Sequence, residues 1–209
     1  MNIGLVGDAR SGRPIHNPFA TRAIRPGALA YWFEDSANSP ATLTERFLAG
    51  NARGQLIGPH GSGKSTLVAA LLPALEAAGK RPHVISLHDG QRRIPRAQFP
   101  ARRLTRDDVL VIDGYEQLGW LSRWQIGRRC RRANCGLLVT AHVDAGFPML
   151  FRTDVTAIVA QHVIAQLARE TPEMVLPAEE AMRRVRELDG NLRELLFSLY
   201  DEYEARRWK

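Results

Sequence analysis

The sequence is poor in lysine. Of its 29 cationic side chains only Lys64, Lys80 and Lys209 are lysines; the other 26 are arginines. A GC-rich coding bias produces such an Ala- and Arg-rich chain, and it makes an internal lysine informative. Cysteine is scarcer still, with Cys130 and Cys135 alone, spaced C-x4-C. Two thiols in so long a chain exclude a disulfide framework. With His142 the nearest downstream histidine and no second pair, they also fall short of a zinc site. The expected setting is reducing and cytoplasmic. No run of eighteen apolar residues exists, which excludes a membrane-spanning helix. Residues 1–13 are too polar, and too short in their apolar part, for a signal peptide.

What is there is an ordinary globular composition, 44% hydrophobic and 24% charged over 209 residues. That suits one α/β domain with a modest appendage. The net charge is +7, and it is uneven. Residues 1–106 carry 15 Lys/Arg against 6 Asp/Glu, whereas residues 107–209 carry 14 against 16. A basic half implies a polyanion nearby: nucleotide, nucleic acid or an anionic surface.

Residues 1–20 read as an N-terminal arm without sustained periodicity. Within them residues 7–14 have the glycine spacing of a phosphate loop, but Arg13 stands where lysine is needed and Pro14 lacks the backbone N–H the turn must offer. A helix is expected over 39–49, capped by Ser39 or Thr42. Apolar strands are expected over 55–58, 83–87, 109–112 and 136–142, with helices over 64–78 and 118–132 between them. A last strand over 148–153 leads to a helix over 155–169, capped by Thr153 or Asp154. After the break at Thr171-Pro172, helices follow over 177–188 and 191–207. Apolar runs without alternation mean strands covered on both faces, hence a mostly parallel sheet in three layers. The organisation expected is an arm over 1–20, a core over 21–170 and a small C-terminal helical lid over 171–209.

One motif carries the chemistry. Gly58-Pro59-His60-Gly61-Ser62-Gly63-Lys64-Ser65 fits G-x-x-x-x-G-K-[ST], between a strand and a helix. The glycines let successive backbone N–H groups point inward, and the helix N-terminus adds a positive end. Lys64 suits the β and γ phosphates of a nucleotide, Ser65 a magnesium ion, and Thr66 the α phosphate. Asp113 ends the strand 109–112, at the sheet edge where open α/β folds bind ligands, and can hold the metal. Thr140 and His142 end the next strand and can touch the γ phosphate or position water. Hydrolytic P-loop enzymes usually place glutamate directly after the metal aspartate; here that residue is Gly114. Glu116 can serve as the base, or can simply open the helix that follows, where a negative charge suits the dipole.

Taken together, these residues resemble the ASCE group of P-loop ATPases, and within it AAA or AAA+-like proteins. Residues 58–65 match Walker A and 109–113 match Walker B. Residues 137–142 resemble the sensor 1 strand, with Thr140 at the polar position. Asn17-Pro18-Phe19 is similar to an N-terminal element near the adenine in secretion- and transposition-associated members. Residues 190–195 are similar to the sensor 2 region of AAA+ lids, which implies that Arg193 reaches back to the γ phosphate. The resemblance implies ATP and Mg²⁺ as ligands, and hydrolysis coupled to a conformational change on a partner. No L-S-G-G-Q-like signature lies between the Walker motifs, so a full ABC module is excluded.

Two other functions stay open: a small-molecule or nucleotide kinase, and a non-hydrolysing ATP-binding switch or scaffold, which Gly114 favours. The connection 92–106 holds six arginines and fits nucleic acid or an acidic protein partner. Its aromatics are sparse, with Phe99 there and Trp120 and Trp124 on the next helix, which argues against a stacking platform. Oligomerisation is compatible with the resemblance.

Overall fold

The computed structural model describes residues 16–207, so the glycine-rich stretch 7–14 lies outside the described residues. A single turn, α1 (Thr21–Ile24), precedes α2 (Pro40–Ala49), β1 (Arg53–Ile57) and α3 (Lys64–Ala77). Then come β2 (Arg81–Ser86), β3 (Asp108–Asp113), α4 (Trp120–Ala133), β4 (Gly136–Ala141) and β5 (Met149–Arg152). The chain closes with α5 (Ala157–Leu167), α6 (Ala178–Glu187) and α7 (Leu192–Arg207).

The five strands form one parallel sheet in the order β2-β3-β4-β1-β5. β3 and β4 carry almost uninterrupted buried side chains because helices cover both sheet faces. One apolar layer joins Leu43 and Phe47 of α2 with Leu67 and Leu71 of α3 and the sheet. The opposite layer joins Ile126 and Cys130 of α4 with Leu110, Leu137 and Val139. Both cysteines are free and buried in this second layer. No helix among the described residues is long and apolar enough to cross a membrane.

A third apolar cluster joins the last three helices. Ala160 and Ile164 of α5 pack with Ala181 and Val185 of α6 and with Leu195 and Leu199 of α7. The helical part therefore includes α5, whose apolar face belongs to its two successors. Phe19 is fully buried in the same cluster. Asn17 fixes it there, accepting from the Phe19 N–H and donating to the Tyr200 carbonyl and Glu204. The Asn17-Pro18-Phe19 element is thus seated on the lid. Two expected boundaries shift for local reasons. Ser39 caps α2 in a reciprocal pair with Thr42. α5 is capped by Thr156, not Thr153 or Asp154. Thr153 is fully buried, and its hydroxyl is spent on Ser62.

At the far end of β3, Asp108 is fully buried. It accepts from both Arg102 amino groups, from His83 at 2.8 Å, and from the Thr105 N–H at 2.7 Å and hydroxyl at 2.9 Å. Arg102, then His83 and Thr105, hold its carboxyl far below the usual carboxylate range. A depressed folded value contributes stability that is present above the unfolded pKa of about 4 and is lost as pH falls below it. Asp108→Ala is expected to cost about 2–4 kcal/mol, because it strands several donors while leaving the half-exposed Arg102, and Arg81 whose Nε lies 3.3 Å from Asp108 Oδ1, free to rehydrate. Urea midpoints at pH 7 check this, and the gap to wild type should narrow below pH 4.

Candidate functional site

A cavity of about 750 Å³ opens at the carboxyl ends of the strands, between the sheet and the lid. Residues 60–66 form its floor, Asp113, Glu116, Thr140 and His142 one wall, and Arg193 lies on the lid side. The sequence-predicted groups therefore converge on one space. Its far end is apolar, with Ile24, Pro26 and Leu29 facing Val159, Val163 and Leu196. Tyr31 lies beside it, its hydroxyl pushed up to about 12 by burial and then by Asp154, so it stays protonated.

The loop 58–63 curls because glycine permits it. Gly61 has φ +67°, and a Cβ there would stand 1.8 Å from Asn191 Oδ1. The same Asn191 oxygen accepts from the Arg193 and Glu194 N–H groups at the start of α7. The lid thus rests directly on the loop. Gly58 is equally closed in, since a Cβ would meet Thr153 Oγ1 at 2.1 Å. Ser62 is buried and fixes the loop by donating to Pro59 O at 2.8 Å.

Lys64 is only 8% exposed. Its ammonium donates to Gly58 O and Pro59 O, both at 2.7 Å, and stands 3.2 Å from His142 Nδ1. Three donors meet three acceptors if His142 Nδ1 carries a lone pair. The other ring nitrogen, Nε2, lies 2.9 Å from Glu116 Oε1. Nδ1 also lies 3.1 Å from Gly58 O; the neutral tautomer with the proton on Nε2 satisfies the Lys64 and Glu116 contacts and leaves that third approach unpaired. Burial, then the Lys64 charge, push the His142 pKa below its ordinary value, against the pull of Glu116. Lys64 is lowered by burial and held up by Glu116 and Asp113. A hydrogen-bonded line, Lys64 to His142 to Glu116, thus crosses the mouth of the loop. His60 stacks on His142 with ring centroids 3.6 Å apart.

Thr140 lies near the end of β4, on the wall of the cavity. It is 1% exposed, donates to Asp113 Oδ1 at 2.6 Å and accepts from the Gly114 N–H at 2.9 Å. Both its hydrogen-bonding functions are directed at the end of β3, so it aims Asp113. Gly114 adopts φ +86°, and that turn swings the next residues back over the site. Glu116 follows on a short 3-10 turn, tied down by Arg123, which donates to the Glu116 and Leu118 carbonyls at 2.8 Å each. Its second oxygen, Oε2, is buried with no hydrogen-bond partner among the described residues. With one oxygen fixed on the imidazole and the other without a partner, the carboxylate has acceptor capacity to spare.

The donor set also fits a small hard cation. Ser65 offers a hydroxyl and Asp113 a carboxylate on the same cavity, both oxygen, with Thr140 already ordering the carboxylate. No three His, Cys, Asp or Glu side chains gather as a metal site among the described residues.

Sequence reasoning did not find the His60–His142 stack, the Asn191 rest on Gly61 or the Arg123 clamp. The first two join residues far apart in the chain, which only the order of strands and lid helices brings together; the Arg123 clamp is local, but no sequence period marks which carbonyls a guanidinium will reach.

No family model and no curated protein matches the chain. Among solved structures, a Walker-type ATPase of Pyrococcus abyssi superposes with a TM-score of 0.59 at 14% identity, covering 90% of this chain and 71% of that one. A RuvB variant of Thermotoga maritima follows at 23% identity and TM-score 0.45, over 65% of this chain and 51% of its own. Cdc6p of Pyrobaculum aerophilum gives 18% and 0.44, over 69% and 52%. The chain spans about half the length of the last two. The first overlay, with the parallel sheet and the strand order, carries the likeness, and it is a likeness of fold.

Proposed function

We propose that this chain, a P-loop NTPase by fold and similar to ASCE and AAA+-like ATPases, binds ATP with Mg²⁺ and hydrolyses it to ADP and phosphate. The observation that carries this reading is the line from Lys64 through His142 to Glu116. It joins the phosphate-binding cation to a buried carboxylate, and a scaffold has no use for that link.

The triphosphate lies along the loop, with the base in the apolar end of the cavity. Phosphate oxygens replace Gly58 O and Pro59 O on the Lys64 ammonium, exchanging neutral acceptors for charged ones. That movement takes Lys64 from His142 and leaves the imidazole to position Glu116. Water then attacks the γ phosphorus in line. Its proton goes to the Glu116 carboxylate, the bond to the β–γ bridging oxygen breaks, and ADP leaves with its electron pair. Lys64 stabilises the charge spreading over the phosphoryl oxygens, and Arg193 completes that cage from the lid. Bound through Ser65 and Asp113, magnesium supplies further charge neutralisation. ATP joins lid to loop and so changes the surface offered to a partner.

The kinase reading lacks support beyond the shared loop. The switch reading is favoured by Gly114; the position of Glu116 on the same wall supports the hydrolytic one. Phosphate release from ATP is expected without any added acceptor, and EDTA is expected to abolish it. Release that appears only with a nucleoside monophosphate or another acceptor would replace the ATPase by a kinase. Tight ATP binding without turnover would leave the switch.

A further inference from the structure

Away from this site, a second cavity of about 600 Å³ lies between the connection 91–106 and the outer face of α4. Arg93, Arg96, Arg128, Arg129 and Arg132 line it. None of the five forms an ion pair among the described residues, while nearby Arg102 and Arg106 are paired with Asp108 and Asp107. Neither 90–106 nor 118–136 contains an acidic side chain. Five cations so placed repel one another and have no internal answer.

The aromatics that look scattered in the sequence are gathered here. Phe99 lines the cavity with Arg129 over its ring at 4.7 Å, and Arg128 lies 5.3 Å over Trp124. Trp124 nevertheless stays 51% exposed, and Trp120, one turn earlier, is 80% exposed. Trp120, Trp124, Arg128 and Arg132 follow at four-residue steps, so they form one slowly winding ridge with about 6 Å between neighbours along the helix. Exposed indoles beside unpaired guanidiniums on one ridge are unusual on a surface with no partner.

We propose that this cavity and the α4 ridge bind single-stranded nucleic acid. Each nucleotide offers one flat ring and one phosphate charge, and the ridge offers indole faces followed by guanidiniums. Stacking on the tryptophans tolerates any base, and the arginines follow the backbone. An acidic protein segment would satisfy the arginines but brings no plane for Trp120. The ridge is also tied to the other site: the Gly119 N–H and Ser122 hydroxyl donate to Arg92 O, and Arg123 holds the turn carrying Glu116. An effect of the strand on turnover follows from that tie and rests on the hydrolytic reading; the binding does not.

The test is therefore binding without ATP. Fluorescein-labelled dT20 and rU20 are titrated with the full chain at two salt concentrations, following anisotropy and tryptophan emission. Both strands are expected to bind and quench the emission, and the tighter one names the natural class. Trp120→Ala with Trp124→Ala is expected to weaken binding at least ten-fold with little change in salt dependence. Arg128→Ala with Arg132→Ala is expected to reduce the salt slope by about 1.4, the loss of two single-strand phosphate contacts. All four side chains lie outside the core, and thermal melts of the variants should match wild type. The proposal is overturned if neither strand binds, or if the tryptophan variant binds like wild type. Displacement of dT20 by polyglutamate of equal charge would overturn it in favour of an acidic protein partner.

Discussion

Lys64→Ala is expected to abolish tight ATP binding, raising Kd by a hundred-fold or more. The ammonium is nearly buried and already holds three acceptors in a fixed geometry. Charge-assisted contacts to phosphate in such a setting contribute about 1.5–3 kcal/mol each, and about 2.7 kcal/mol corresponds to a hundred-fold in affinity. Alanine also leaves Gly58 O and Pro59 O directed at the incoming phosphates, adding repulsion. Titration calorimetry with Mg-ATP measures the change. An unchanged Kd would remove the phosphates from this loop, and the proposed function with them.

Glu116→Gln should leave ATP affinity within a few-fold and lower turnover by about 10²–10⁴, the usual worth of a positioned general base. Glutamine has the same shape, and its carbonyl oxygen can still accept from His142 Nε2, so geometry is kept while basicity is lost. Single-turnover phosphate release beside a binding titration separates the two effects. Equal turnover in variant and wild type would mean that Glu116 merely opens the segment leading to α4. The chain would then hydrolyse by another route.

Much of this was readable in the sequence because the responsible interactions are local. A glycine-rich turn between a strand and a helix specifies the phosphate loop, and uninterrupted apolar runs specify covered parallel strands. The site residues were legible as a set because β1, β3 and β4 all end on one edge of the sheet. Their roles were less so. Thr140 was readable as a polar strand end, but only the β3–β4 pairing shows that its hydroxyl is taken up by Asp113 and Gly114. The period of α5 says which face is apolar, not that α6 and α7 cover it. The seat of Asn17 was unreadable for the same reason: its partners Tyr200 and Glu204 lie more than 180 residues away.

The seating of Asn191 on Gly61 has a kinetic side. The cap of α7 and the phosphate loop occlude the same small volume, so neither can loosen without uncovering the other. Amide hydrogens at Gly61–Gly63 and at Arg193–Glu194 should therefore exchange with solvent as one opening unit. Whatever slows one set should slow the other to the same extent.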